Sequence, residues 1–412
     1  MNHDEDLRRV ERVRVMKSGE LAGELHRTLR GAEFVYNDEF RTRCLERKTM
    51  GIACSLPPIN RTYAVGGVNV HPFFAGLLPE GLRLKALRSS LKTSEDDLFT
   101  MLIALGGESV GDVYLETEEA VHPEPLVPVD LKSADFNELL DKSIAPALRC
   151  DAVDIGVPGV MPKLSASMIS FPVRVREKRK EYILKLQPKE YPNLIENEHF
   201  FMRMAEACGL TVAKTTIVRD AKEQGGLLVT RFDRHFEKGV RSPRKLHQED
   251  ACQILGVYPH DKYRLSAKQI CEGISRYASA PIIEIRKFID LYVFSYIIGN
   301  GDLHGKNVSL LELAQDGTFA LSPCYDLVST LPYGDRRMAV PLGGRDEKFR
   351  MVDFTQFAQQ FDIPEKAVLS SITKMLQKAI PWLGRLGEIA FERKQLTFLK
   401  KTMIERIDAV LS

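Results

Sequence analysis

The sequence predicts an α+β protein, a β-rich first half leading into a mostly helical second half. Three observations predict it. Apolar residues alternate with polar ones in short, Gly-broken runs up to about residue 231, the period of strands. Beyond about 245 they recur at helical spacing over 249–256, 266–278, 281–298, 364–379 and 389–411. Pro123, Pro125 and Pro128 crowd residues 121–130, an extended linker composition. With 412 residues the chain can build two or three domains of roughly 150 residues. The expected division is an N-terminal subdomain at 1–120, a linker at 121–150, a small lobe at 151–234 and a helical large lobe at 235–412.

The individual elements follow in chain order. Val13-Arg14-Val15, Gly19, Gly23 and Phe34-Val35-Tyr36 read as strands of a small sheet. Ser94-Glu95-Asp96-Asp97 reads as a capping box for a helix carrying Leu98, Met101, Leu102 and Leu105, closed by Gly106-Gly107. Runs at 167–175 and 182–186 form a hairpin around the charged tip Arg176–Lys180. A helix over 195–208 ends at Gly209, and strands follow near 211–218 and 226–231. In the last helix Leu396, Leu399, Met403, Ile407 and Val410 share one face, a core stripe.

Composition narrows the function classes. Hydrophobic residues are 44% and charged residues 28%, an ordinary globular balance. Fifty-eight Lys and Arg against 56 Asp and Glu leave a net charge of +2, so no global basic field holds nucleic acid. The longest apolar run, about nine residues at Leu291–Gly299, is far short of the ~20 of a membrane helix. The opening Met1-Asn2-His3-Asp4-Glu5-Asp6 carries no signal-peptide core. Seven scattered cysteines, never spaced Cys-x-x-Cys, argue against a disulfide framework or a Cys-type zinc site. A reducing, cytoplasmic setting and no membrane partner are expected.

The chemistry concentrates in Asn300-Gly301-Asp302-Leu303-His304-Gly305-Lys306-Asn307, a polar loop between an apolar helix and a strand. Asp302 and Asn307 stand five apart, the interval from base to metal-binding Asn in the protein-kinase catalytic loop. One carboxylate faces a nucleophilic hydroxyl while an amide oxygen turns to a nucleotide-bound Mg²⁺. Asp326, nineteen residues beyond Asn307 and just past a strand at 318–321, supplies a second metal carboxylate. Solvated loop acids would give the same letters. Lys185 lies mid-strand in Tyr182-Ile183-Leu184-Lys185 and Glu198 follows on the next helix, the order of the kinase phosphate-binding ion pair. A solvent-facing lysine is the other reading. Gly156, Gly159 and Lys163 bound a loop whose N–H groups could cradle phosphate, or a plain rigid loop. Thr230 and Phe232 end the last small-lobe strand where a kinase hinge would bind adenine through its backbone.

Together these residues resemble the HipA-type serine/threonine kinase toxins of bacterial toxin–antitoxin systems. The resemblance spans nearly the whole chain. It rests on Gly23-Glu24-Leu25, Ser55-Leu56-Pro57, Phe73–Gly81 and Gly106–Gly111, then on Pro158–Lys163, Ile183–Lys185, Asn197-Glu198 and Arg231–Arg234. It continues in His247–Asp250, Lys262-Tyr263, Asn300–Asn307 and Tyr325-Asp326. It implies a two-lobed protein-kinase-like fold that uses ATP and Mg²⁺ to phosphorylate a protein. In it Lys185 would bind nucleotide phosphates, Asp302 would act as base with His304 supporting its loop, and Asn307 and Asp326 would hold metal. It further implies a helix-turn-helix antitoxin partner, operator DNA contacted mainly through that antitoxin, and an aminoacyl-tRNA synthetase as substrate. The chain departs from the family where Gly156 stands at the position of an autophosphorylated loop serine. The alternatives are a catalytically weak scaffold serving an antitoxin–DNA complex and a small-molecule phosphotransferase.

Overall fold

The computed structural model describes residues 7–67, 69–107, 109–117, 128–139, 168–175, 180–187, 190–237, 240, 243–314 and 317–412. In the N-terminal part β1 (Arg12–Lys17), β2 (Glu20–Thr28), β3 (Gly31–Tyr36), α1 (Asp38–Arg47) and β4 (Thr62–Gly66) precede α2 (Pro72–Ala75) and α3 (Gly81–Leu91). Then come α4 (Leu98–Leu105) and β5 (Val113–Glu116). The strands form one antiparallel sheet in the order β4-β3-β2-β1-β5. Alternation decides its faces: Val13, Val15, Ala32, Phe34 and Tyr36 turn inward onto Phe73, Phe74, Phe99 and Leu102. The cap of α4 differs from the expectation. Asp97, not Ser94, accepts from the Thr100 amide at 3.2 Å, because only Asp97 directly precedes the apolar run. Ser94 instead accepts from the Asp96 amide at 3.3 Å within the preceding turn.

The second sheet comprises β6 (Pro128–Val129), β7 (Ile169–Val175), β8 (Glu181–Leu186), β9 (Thr215–Arg219) and β10 (Gly225–Thr230), ordered β6-β7-β8-β10-β9. The expected β7–β8 pairing is present and antiparallel, from Ile169 opposite Leu186 to Arg174 opposite Glu181. Between β8 and β9 runs α5 (Leu194–Cys208), which buries Phe200, Phe201, Met204 and Ala205. Its C-cap is Gly209, whose φ of 99° suits a residue without a Cβ.

The remaining chain is mainly helical. Two short ladders, β11 (Arg234–His235) with β12 (Arg244–Lys245), and β13 (Gln248–Asp250), lead into α6 (Ala251–Leu255), α7 (Ala267–Tyr277) and α8 (Pro281–Ile298). The helix expected over 249–256 therefore starts two residues late. Residues 248–250 pair instead with β14 (Ser309–Ala314), which also pairs with β15 (Thr318–Leu321). Three helices complete the lobe: α9 (Met351–Gln359), α10 (Glu365–Ala379) and α11 (Arg393–Leu411). In α11 the expected stripe is core, with Leu399, Met403, Ile407 and Val410 buried and Leu396 packed against them.

Charged ties fasten the N-terminal part to the rest. His247 lies 2.7 Å from Asp112 and 2.9 Å from Glu249, with Lys17 2.8 Å from the same ring. Asp233 takes the Gly111 amide at 3.0 Å as well as both Arg231 and Arg234. Both arginines also donate to the Ser109 carbonyl. Asp112, His247 and Glu249 of the first cluster and all three side chains of the second are buried, and Lys17 is half-buried. Removing one member strands a buried charge, so these contacts fix one docking geometry.

Candidate active site

Lys185 sits on β8, between β7 and β10, so its side chain leaves an interior strand rather than an edge. Its Nζ donates to Glu198 Oε1 at 2.7 Å and Oε2 at 3.0 Å, and also to Asp326 Oδ1. The side chains of Lys185 and Glu198 are only 7% and 1% exposed, which discards the solvent-facing reading. Burial works against the ammonium, but Asp326 and Glu198 outweigh it and hold the Lys185 pKa above its ordinary value. The site holds two carboxylates for one cation. Burial, and then the charge of Asp326, push Glu198 up to about 7 although Lys185 pulls it down.

Asp326 follows β15 in a loop and has φ of +57°, a left-handed conformation that short polar side chains tolerate. Its Oδ2 accepts from Asn307 Nδ2 at 3.2 Å. Asn307 Oδ1 accepts from the His304 backbone N–H at 3.2 Å, while the Asn307 backbone N–H donates to the His304 carbonyl at 2.9 Å. Residues 305–307 thereby close into a 3-10 turn that holds Asn307 against Asp326. Asp302 opens the loop. Its amide donates to Asn300 Oδ1 at 3.0 Å, and its Oδ1 accepts from the Tyr263 hydroxyl at 2.8 Å. The His304 ring meets that of Tyr263 edge to face, 5.0 Å between centroids.

Of the residues singled out in the sequence, Lys185, Glu198, Asp326 and Asn307 form one bonded set, and Asp302 and His304 lie on the loop of Asn307. At the end of β10 the Thr230 amide donates to the Lys214 carbonyl at 2.8 Å, which extends the sheet to that residue. Phe232 is half-buried, its ring 5.7 Å from that of Tyr325. Gly156, Gly159 and Lys163 lie outside the described residues.

Five further side chains join the site without having been assigned to it. Tyr263 bonds the Asp302 carboxylate; Lys262 beside it pairs with Glu80 at 2.8 Å. Lys306 pairs with Asp250 at 2.6 Å and donates to the Gly76 carbonyl at 3.1 Å. Lys262-Tyr263 and Phe73–Gly81 were legible as motifs, but no local pattern states that they meet the catalytic loop.

A five-stranded small lobe whose strand lysine grips a helix glutamate, over a helical lobe whose polar loop meets a second carboxylate, defines a two-lobed protein-kinase-like protein. The particular family follows from comparison. Residues 13–116 match the model of the HipA N-terminal domain and 155–383 that of the HipA-like C-terminal domain, and the chain belongs to the HipA family. Among relatives, "Putative kinase Y4mE" of Sinorhizobium fredii is 31% identical over 361 residues, 83% of this chain and 84% of that one. The serine/threonine-protein kinase toxin HipA of Shewanella oneidensis is 27% identical over 347 residues, 78% of this chain and 79% of that one. A solved complex of Shewanella oneidensis HipA with HipB and operator DNA superposes with a TM-score of 0.75 at 20% identity, covering 97% of both chains. Among the described residues no helix is long and apolar enough to cross a membrane.

Proposed function

We propose that this chain is an ATP- and Mg²⁺-dependent serine/threonine protein kinase acting as the toxin of a toxin–antitoxin pair. One observation carries the reading: Lys185 Nζ joins Glu198 and Asp326, and Asp326 in turn joins Asn307. Residues from a strand, a helix and two loops, up to 141 positions apart, converge on one polar set. That is the lysine, glutamate, aspartate and asparagine set with which kinases position nucleotide phosphates and their metal.

The donors present suit a hard cation. Asp326 offers carboxylate oxygens on a side chain about one-third exposed, and Asn307 lies within hydrogen-bond reach of one of them. Turning the Asn307 amide over would give up its bond to the His304 amide and set a second oxygen beside Asp326. Two oxygen donors with open positions fit Mg²⁺, which keeps several waters and takes the rest from phosphates. When bound, the metal supplies charge neutralisation between phosphates. Lys185 then places its ammonium at the phosphates with Glu198 fixing its direction, and Asp302 accepts the proton of the attacking hydroxyl.

Partners come to this chain by kinship. The Shewanella oneidensis complex holds HipA with HipB and operator DNA, which supports a DNA-binding antitoxin, of helix-turn-helix type by the family resemblance, for this chain too. Operator DNA would then be reached mainly through the antitoxin, consistent with a net charge of only +2. The same resemblance supports an aminoacyl-tRNA synthetase as substrate, and the seven cysteines with no Cys-x-x-Cys spacing support a reducing, cytoplasmic setting.

The test is transfer from γ-labelled ATP with Mg²⁺ to proteins of a bacterial lysate. Label on a protein band that disappears in Asp326→Ala is expected. No transfer at all favours a scaffold, and label on small solutes alone a small-molecule phosphotransferase.

A further inference from the structure

We propose that Tyr263 is a positioning residue for the base Asp302, and that the N-terminal subdomain sets its position through the Glu80–Lys262 pair. The inference rests on the kinase reading of Asp302.

A carboxylate serving as base must hold its plane while the substrate hydroxyl approaches, and an aspartate side chain has two bonds whose rotation would lose that plane. The Tyr263 hydroxyl donates to Oδ1 at 2.8 Å and fixes that plane. Tyr263 is itself held from two sides. Its ring meets that of His304 edge to face at 5.0 Å, and the Lys262 ammonium lies 5.2 Å from its centroid. The backbone adds a tie, since the Gly305 amide of the catalytic loop donates to the Lys262 carbonyl at 3.1 Å. A Cβ at Gly305 would come within 2.6 Å of Leu265 and 2.8 Å of Cys252 Sγ, so loop and segment 262–265 are packed without slack.

The segment carrying Tyr263 is anchored outside its own lobe. Lys262 pairs with Glu80 Oε2 at 2.8 Å, and the Tyr258 hydroxyl donates to the Val70 carbonyl at 3.0 Å. Both acceptors belong to the N-terminal subdomain. The Lys262 side chain is 10% exposed and that of Glu80 31%, so water reaches the pair from the Glu80 side only. An unbroken series therefore runs from Glu80 through Lys262 and Tyr263 to Asp302. The subdomain is part of the catalytic apparatus in this arrangement, and not only a surface for partners.

The experiment compares full-length wild type, Tyr263→Phe, Glu80→Ala, Asp302→Asn and the double variant Tyr263→Phe/Asp302→Asn. Each is assayed for transfer from γ-labelled ATP, KM for ATP and thermal unfolding. Tyr263→Phe should lower kcat about tenfold, the order a lost positioning contact costs, with KM for ATP within about twofold of wild type and unfolding unchanged. Glu80→Ala should lower kcat in the same sense by a smaller factor. On the Asp302→Asn background Tyr263→Phe should cost nothing further, because the group it positions is gone. Wild-type kcat in Tyr263→Phe, equal losses with and without Asp302, or unaltered kcat in Glu80→Ala would overturn the proposal. A wild-type chain that binds ATP and transfers nothing would instead sink the kinase reading on which it rests.

Discussion

Lys306 and Asp250 form a buried ion pair, Nζ to Oδ2 at 2.6 Å, that joins the catalytic loop to the start of α6. Asp250 is also the N-cap of that helix, accepting from the Gln253 amide at 2.9 Å. Gln253 in turn donates to the Phe73 carbonyl at 3.0 Å, and Lys306 to that of Gly76 at 3.1 Å. Loop, helix and N-terminal subdomain thus share one polar knot. Burial disfavours the Lys306 ammonium, but Asp250 and then Glu80 overcome it and hold its pKa above the usual lysine value.

Lys306→Met should therefore destabilise the chain by about 3 kcal/mol, the order seen when one partner of a buried pair is removed. Adding Asp250→Asn, which discards the stranded charge, should recover part of that loss. Denaturant unfolding of the two variants checks it, and a Lys306→Met chain as stable as wild type would show that the pair contributes nothing.

The Lys185, Glu198 and Asp326 set predicts a pH dependence. In the folded chain Glu198 is pushed up to about 7, by burial first, from an ordinary glutamate value of 4.5. A raised carboxyl pKa means that the fold binds this proton more tightly than the unfolded chain does. Its favourable contribution is present below about 4.5 and is lost as pH rises through about 7. Without nucleotide, Glu198→Gln should remove that slope and gain stability relative to wild type between pH 5 and 8. Melting temperatures across this range check the sign. A difference independent of pH would place the titration elsewhere.

Asp302→Asn keeps the shape of the side chain and an oxygen for the Tyr263 hydroxyl, but cannot accept the substrate proton. Expressed without an antitoxin, wild type should arrest growth and Asp302→Asn should not, at equal protein level. Transfer from labelled ATP should fall by at least about 100-fold, the lower end of what a general base contributes. An equally toxic variant would refute kinase-dependent arrest.

How much of this was legible follows from which forces are local. The Lys185–Glu198 pair could be read because strand and helix are consecutive and thirteen residues separate the partners. The reach of Asp326 could be anticipated only as a strand, a loop and an acid, since its bond to Lys185 spans 141 residues. The cap of α4 was misplaced by three residues because Ser94 and Asp97 are both good caps and only the start of the packed run chooses between them. Helix α9 escaped notice because its polar residues interrupt the apolar ones over only nine positions, and burial of Phe354 and Phe357 supplies what propensity does not. Likewise, Glu80 with Lys262 and Tyr263 with Asp302 are tertiary contacts. Charge and hydroxyl were visible, their meeting was not.

The launch of the catalytic loop yields the last prediction. Gly299 ends α8 with φ of +72°, where an L side chain is strained. A Cβ there would lie 2.3 Å from both Cγ and Cδ1 of the buried Leu331. The backbone cannot simply retreat, for the Gly299 carbonyl accepts from the Thr330 amide at 2.8 Å and from its hydroxyl at 3.0 Å. The same hydroxyl accepts from the Gly301 amide at 2.9 Å, one residue before Asp302. Gly299→Ala should thus cost about 1 kcal/mol for the left-handed conformation. Overpacking against Leu331 should add about 1–3 kcal/mol. Because the loop hangs from these bonds, transfer per folded molecule should fall as well. Trimming the obstacle separates the two costs: Gly299→Ala with Leu331→Ala should be less unstable than the sum of the single losses. Strict additivity in that cycle would assign the whole penalty to φ and leave Leu331 out of the account.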